Sequence, residues 1–357
     1  MSSGEGSDRA SSPISPTLPV TFFLAGEPDI GVLSRLDPDA DHDSFRPGEL
    51  SWTAQTFLRL RNAGYPVSLA DTAPASGLVI FHAKHKHVLA RAAKGRRDLI
   101  FVAIRADNSS PLLADFEVLQ SGRFADNRTR FWIPFWPQPG LVPRDPQRGT
   151  TVERVVYMGR IENLHPDFRG ENWRSALASM GLEWVLREVR FERAGAKSGA
   201  TSRGKETPID WEDYRTLDVV IAVRPDDPEL RFAKPASKLI NAWRAGVPAL
   251  VGPEYACREI RRSADDFIEV SGAKQALVEL ARLRDEPEFY ARIVAAGHLR
   301  APEFSFAALT ERWAELLYRT LPLRVAMGAM PWSHRLPLSL RLPLRRAARI
   351  LSATRSR

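Results

Sequence analysis

The 357-residue chain has one cysteine, Cys257, so no disulfide can form within it, and such sparing use of cysteine fits a reducing cytoplasm. It has no run of about 18 apolar residues, which excludes a transmembrane helix. Its opening stretch, MSSGEGSDRASSPISPTLP, lacks the apolar segment of a secretory signal, and residues 1–18 read as a disordered leader. Ala25-Gly-Glu-Pro-Asp-Ile30, after the first apolar run, lacks the Gly-x-Gly-x-x-Gly turn of a nicotinamide dehydrogenase. From residue 321 to the end there is neither an acid nor a lysine, but there are eight arginines (324, 335, 341, 345, 346, 349, 355 and 357). The whole chain carries a net charge of +8, so the tail accounts for all of the excess and the body is balanced. A balanced body argues against nucleic acid as a partner.

What is present is an ordinary globular composition, 44% hydrophobic, over a length that suits two domains. Apolar runs at Val20–Ala25, Pro66–Leu69, Gly77–His82, Asp98–Arg105 and Phe116–Gln120 read as five strands. Between them lie a loop over 37–48, a helix from Trp52 to Ala63 closed by Gly64, and a basic helix ending near Lys94. Apolar strands alternating with helices predict a parallel sheet covered on both faces. Five prolines between Phe131 and Pro146 forbid regular structure and predict a stiff connector. A second series follows, with strands at Arg154–Arg160, Leu182–Leu186, Leu217–Arg224 and Phe267–Val270, a helix at Asn172–Gly181, and further helices to about Leu321. The Gly-, Ser- and Lys-rich stretch 194–207 reads as a mobile excursion. The expected fold class is α/β, two doubly wound Rossmann-like domains facing across a cleft. They span residues 19–136 and 151–321, with a linker over 137–150 and a basic tail over 322–357.

The richest stretch runs from Lys234 to Glu259. Ser237 is a candidate helix N-cap. Leu239, Ala242 and Trp243 fall at i, i+3 and i+4, which gives the helix one apolar face. Gly246 suits the left-handed position past the helix end, and Pro248 prevents continuation. Free amides at the helix start, with the dipole behind them and Lys234 and Lys238 beside them, form an anion site. Arg160 and Arg224 each close a predicted strand beside the same crevice, where they bind the anion or form exposed salt bridges. Glu254, at the next strand end, either binds sugar hydroxyls or caps the following helix.

In this order of pieces, from about Val20 to Leu321, the chain resembles the GT-B-fold glycosyltransferases of the broad group 1 type. The marks are Gly159-Arg160 at the end of the second domain's first strand and Ala245-Gly-Val-Pro248. Lys234-Pro-x-Ser-Lys-Leu239 and Trp52-Thr-x-Gln-Thr-x-Leu-Arg-Leu60 are similar to bacterial members of uncharacterised acceptor. The resemblance implies transfer of a hexosyl or related group from a nucleoside-diphosphate sugar to a glycan or lipid-linked acceptor, as in polysaccharide biosynthesis. The leaving diphosphate then needs preorganised cations. Arg160, Arg224, Lys234, Ser237, Lys238, Asn241 and Glu254 are the implied donor-binding residues, with no metal and no cofactor beyond the nucleotide sugar. The commonest members carry two glutamates eight positions apart where Asn241 and, near its place, Ala233 stand here, so sugar and stereochemistry stay open. A non-catalytic nucleotide-sugar-binding subunit and a sugar-nucleotide epimerase are the alternative readings.

His82 closes the third strand on the acceptor side, where it suits proton abstraction from an acceptor hydroxyl or a structural hydrogen bond. His42 and Asp43 in the first long loop are weaker candidates. His82-x-x-His85-x-His87 lacks a matched cysteine or carboxylate set and is interrupted by lysines, so a charged helix start is expected there rather than a metal. Prolines 337 and 343 exclude one continuous helix through the tail, leaving a short basic amphipathic helix over about 344–353. Arginine with leucine over 335–357 suits an anionic membrane surface. The expectation is a cytoplasmic protein held against the inner face of the membrane.

Overall fold

A computed structural model describes residues 18–26, 29–189, 209–226 and 234–355. Ala233, the stretch 194–207 and the leader as far as residue 17 lie outside the described residues.

The first lobe is a six-stranded parallel sheet. Its strands are β1 (Val20–Phe23), β2 (Val67–Ala70), β3 (Gly77–His82), β4 (Leu99–Ile104), β5 (Phe116–Leu119) and β6 (Arg130–Trp132), in the order β2-β1-β3-β4-β5-β6. Alternation of side chains along each strand divides the apolar residues between two cores. Phe22, Ile80, Val102 and Phe116 pack on one face, while Phe23, Val79, Phe81 and Phe101 pack on the other. The helices of this lobe are α1 (Ile30–Leu33), α2 (Gly48–Trp52), α3 (Ala54–Asn62) and α4 (Lys86–Ala92). The helix expected from Trp52 is thus two helices that meet at Thr53, and the loop before it contains a short 3-10 turn at His42–Phe45.

The second lobe is a five-stranded parallel sheet. Its strands are β7 (Arg154–Gly159), β8 (Glu183–Glu188), β9 (Val219–Ala222), β10 (Ala249–Val251) and β11 (Ile268–Glu269), in the order β11-β10-β9-β7-β8. Its helices are α5 (Glu171–Ser179), α6 (Ser237–Ala245), α7 (Tyr255–Arg258), α8 (Ala273–Asp285) and α9 (Pro287–Arg300). The fully buried Asp218 pins the linker here. It pairs with Arg144 at 2.8 Å and Arg148 at 2.8 Å, and accepts the Glu153 and Arg154 amides at 2.9 and 2.8 Å. Burial would raise its pKa, but the Arg148 hydrogen bond and the Glu153 amide outweigh that and hold the carboxyl below its usual range.

Three sequence expectations need correction. The connector starts later than Phe131, because Phe131 and Trp132 pair in register with Val118 and Leu119. Its prolines begin only after that strand edge, where no further neighbour needs an amide donor. The chain also recrosses before Leu321. Helix α10 (Phe306–Ala314), a π turn at Glu315–Thr320 and α11 (Leu321–Ala326) follow α9, and Leu309, Trp313, Leu317 and Leu321 are buried in the first lobe's core. Finally, α12 (Leu338–Arg355) runs unbroken through Pro343. An interior proline costs about 3 kcal/mol, and docking offsets it. Arg345 reaches Asp115 at 2.7 Å and the Ala114 carbonyl at 2.7 Å, Arg341 lies 3.5 Å from the same carboxylate, and Leu338 is buried beside Phe101. Among the described residues no helix is long and apolar enough to cross a membrane.

Candidate functional site

A cleft of about 350 Å³ opens between the lobes, at the carboxyl ends of both sheets' strands. Its second-lobe wall is cationic. Gly159, the last residue of β7, has φ 145°, and a β-carbon there would stand 2.9 Å from Tyr157 Oη. The Tyr157 hydroxyl donates to the Arg160 carbonyl at 2.7 Å. Glycine therefore lets the chain turn over the buried tyrosine ring and deliver Arg160 to the cleft.

Helix α6 supplies the rest of that wall. Its N-cap is Ala236, not Ser237, which lies one residue inside the helix, and among the described residues no side chain caps the first turn. The amides of that turn accordingly keep their donors for a ligand, with the dipole behind them. Gly246 ends the helix in the left-handed conformation (φ 71°, ψ 39°), as the sequence predicts. Lys234, Ser237, Lys238 and Asn241 all line the cleft together with Arg160 and Arg224. Burial, reinforced by the charges of Arg224 and Lys234, pushes the Lys238 pKa down to about 7.

Several of these groups also hold the lobes in place. Lys234 Nζ lies 2.5 Å from Asp107 Oδ2, which belongs to the first lobe just beyond β4. Asn241 Oδ1 accepts the Gln138 amide of the linker at 2.9 Å, so that oxygen is occupied. Glu259 spans the lobes too, accepting from Ser121 Oγ at 3.0 Å and from the Gly122 and Arg123 amides at 2.9 Å each. Glu254 stands at the N-cap position of α7 but is engaged elsewhere. It pairs with Arg224 in a buried contact, makes no side-chain cap to α7 and does not line the cleft.

The first-lobe wall includes His42, Asp43, Arg46, Ser51 and Gln55. His42 Nε2 lies 3.6 Å from Asp43 Oδ1 and 3.8 Å from Glu212 Oε1 of the second lobe. One ligand atom from each of the three falls within 4.8 Å of the others, so this trio could hold a cation. Glu212 Oε2 is buried without a hydrogen-bond partner. A β-carbon on Gly140 of the linker would come within 3.0 Å of the His42 ring, so the imidazole packs where only glycine gives room. Sequence reasoning did not single out Glu212, Trp211 or Arg46. They sit in irregular segments whose approach to the cleft has no local signature.

His82 lies outside this wall and is 1% exposed. Its Nδ1 accepts the Lys84 amide at 3.3 Å, which places the ring proton on Nε2, and burial with the Lys84 charge pushes its pKa down to about 4. His85 Nδ1 accepts the Ala25 amide at 3.1 Å. Both rings thus serve the backbone at the sheet's carboxyl edge.

No family model matches the chain, and no curated protein matches it in sequence. Solved structures do resemble it. One is sucrose-phosphate synthase from Thermosynechococcus elongatus, with 13% identity, 85% of this chain and 99% of that one covered, and a TM-score of 0.53. Another is Anabaena HepE in complex with UDP and glucose, with 14% identity, 84% and 99% covered, and a TM-score of 0.50. Two parallel-sheet lobes, a cleft at their strand ends and a chain that returns to the first lobe give this protein the fold of the GT-B glycosyltransferases.

Proposed function

We propose that the chain transfers a hexosyl or related group from a nucleoside-diphosphate sugar to a glycan or lipid-linked acceptor. The observation that carries this reading is that Arg160, Lys234 and Lys238 line the same interlobe cleft as the first turn of α6, which no described side chain caps. Cations and helix-start amides placed there stabilise a diphosphate as negative charge builds on it during departure. UDP and glucose, bound by the similarly folded HepE, make UDP-glucose the first donor to try. Across the cleft, His42, backed by Asp43 and Glu212, takes the acceptor proton, the role that sequence reasoning gave to His82. A ring that holds its proton on a buried Nε2 is a poor base. The protein works in the cytoplasm at the membrane's inner face.

The test is a thermal-shift screen with uridine, guanosine, adenosine and thymidine diphosphates, followed by nucleotide release from the matching sugar nucleotide with candidate acceptors. Saturable stabilisation by one diphosphate, abolished in Lys238→Ala, is the expected result. No response to any of the four refutes the reading. Asn241, at a place where group 1 members carry glutamate and with its oxygen held by Gln138, favours one rival, a binding subunit without turnover. That rival predicts tight diphosphate binding with no nucleotide release under any acceptor.

A further inference from the structure

Two acid-free segments far apart in the sequence meet on the first lobe. One runs from Lys84 to Arg97 and carries Lys84, Lys86, Arg91, Lys94, Arg96 and Arg97; the other is the arginine tail. Between α4 and α12 they enclose a second cavity of about 320 Å³, lined by Lys86, His87, Ser109, Ser110, Arg346 and Arg349 over an apolar floor that includes Leu113 and Leu342. Among the described residues no carboxylate lines it. Glu117, just behind Ser110, accepts the Ser110 hydroxyl and lies 3.6 Å from Arg105. Arg349 is braced against the Ser110 carbonyl at 2.9 Å. Lys86 and Arg346 make no hydrogen bond or ion pair with any described residue, unlike Arg341 and Arg345, which Asp115 engages. Cations that converge without a partner on a partly enclosed space repel one another until an anion joins them.

The neighbouring surface says which anion. On α12 the arginines that grip the lobe point inward, and the outward face is apolar. Leu340, Leu344 and Leu351, at i, i+4 and i+11, are 54%, 43% and 63% exposed, and Trp332 just before the helix is 72% exposed. An ordinary solvated helix has the opposite polarity. We propose that the α4–α12 cavity binds the phosphate of an anionic lipid while the outward face of α12 enters the acyl layer. This rests on the membrane half of the function proposed above and is independent of the donor chemistry.

The test is co-sedimentation of the full chain with vesicles of pure phosphatidylcholine and with vesicles containing phosphatidic acid, at fixed salt. UDP-glucose binding, measured on the same preparations, keeps failure of the donor site distinct from failure of this one. The expected result is at least tenfold stronger binding to the phosphatidic acid vesicles. Lys86→Glu with Arg346→Glu should remove that preference, and Leu344→Asp should weaken binding to both vesicle types. Equal binding to the two vesicle types, or a preference unchanged in the charge-reversed variant, overturns the proposal. Stabilisation by inorganic phosphate without any vesicle binding overturns the lipid assignment. So does a concentration-dependent dimer that Leu344→Asp dissolves, since α12 would then face a second copy of the chain.

Discussion

Lys238 offers the sharpest test of the cleft. With its pKa pushed down to about 7 by burial and by Arg224 and Lys234, it is only half protonated at neutral pH in the free protein. A bound diphosphate supplies the missing countercharge and restores the pKa toward about 10.4, its unperturbed value. Binding then takes up a proton, so affinity must fall as pH rises through about 7. Between pH 6 and pH 8.5 the protonated fraction of the free lysine drops about thirtyfold, which corresponds to about 2 kcal/mol of lost binding free energy. A nucleotide sugar is the right probe because its diester phosphates do not titrate in that window. Titration calorimetry with UDP-glucose in two buffers of different ionisation enthalpy would report both the affinity and the proton count. Lys238→Met should show no pH dependence between pH 6 and pH 8.5 and bind more weakly than the wild type throughout, with the gap narrowing about thirtyfold across that range because the lysine stays protonated in the complex. A flat wild-type profile, or the same slope in Lys238→Met, would refute the argument. Stability of the unliganded protein carries the opposite sign. The unfolded chain holds the lysine proton up to about pH 10.4 whereas the fold releases it near 7, so this residue's contribution to stability rises with pH across that range.

Other expectations follow from the same geometry. Asp218→Ala leaves Arg144 and Arg148 without their buried partner and should cost about 3–5 kcal/mol in urea unfolding; a loss under about 1 kcal/mol would show the pairs to be dispensable. Gly159→Ala drives a methyl into Tyr157 and imposes an unfavourable φ, so it should cost about 1–3 kcal/mol and weaken nucleotide binding by displacing Arg160. His42→Ala should lower turnover by about 10²–10⁴ with donor affinity little changed, while His82→Gln keeps turnover. The reverse pattern in steady-state kinetics would return the base role to His82.

The strands were the most legible part of the chain, because alternation and apolar runs are local. β3 occupies the residues expected of it, Gly77–His82, and β7 and β9 lie within their expected spans. The left-handed Gly246 was legible for the same reason, since the conformational freedom of one glycine at a helix end is written in a few residues. The cationic wall could also be read, because strand ends and helix starts are predictable places. Six of the seven residues named for donor binding reach the cleft. Glu254 could not be read, because nothing in its neighbourhood reveals Arg224, which stands 30 positions earlier, just past the end of the adjacent strand β9.

The base assignment and the tail depended on contacts between distant segments. His42 gains its place from Glu212 and Gly140, one in each of two irregular stretches, and only the packing of the lobes brings all three together. Pro343 argues locally against a helix, yet Asp115, more than two hundred residues away, takes up Arg341 and Arg345 and holds α12 against the sheet. Periodicity and turn chemistry act over a few residues and so are readable in one dimension. The pairing of buried charges, and the face a helix turns to solvent, are settled by which surfaces meet once the chain has closed on itself.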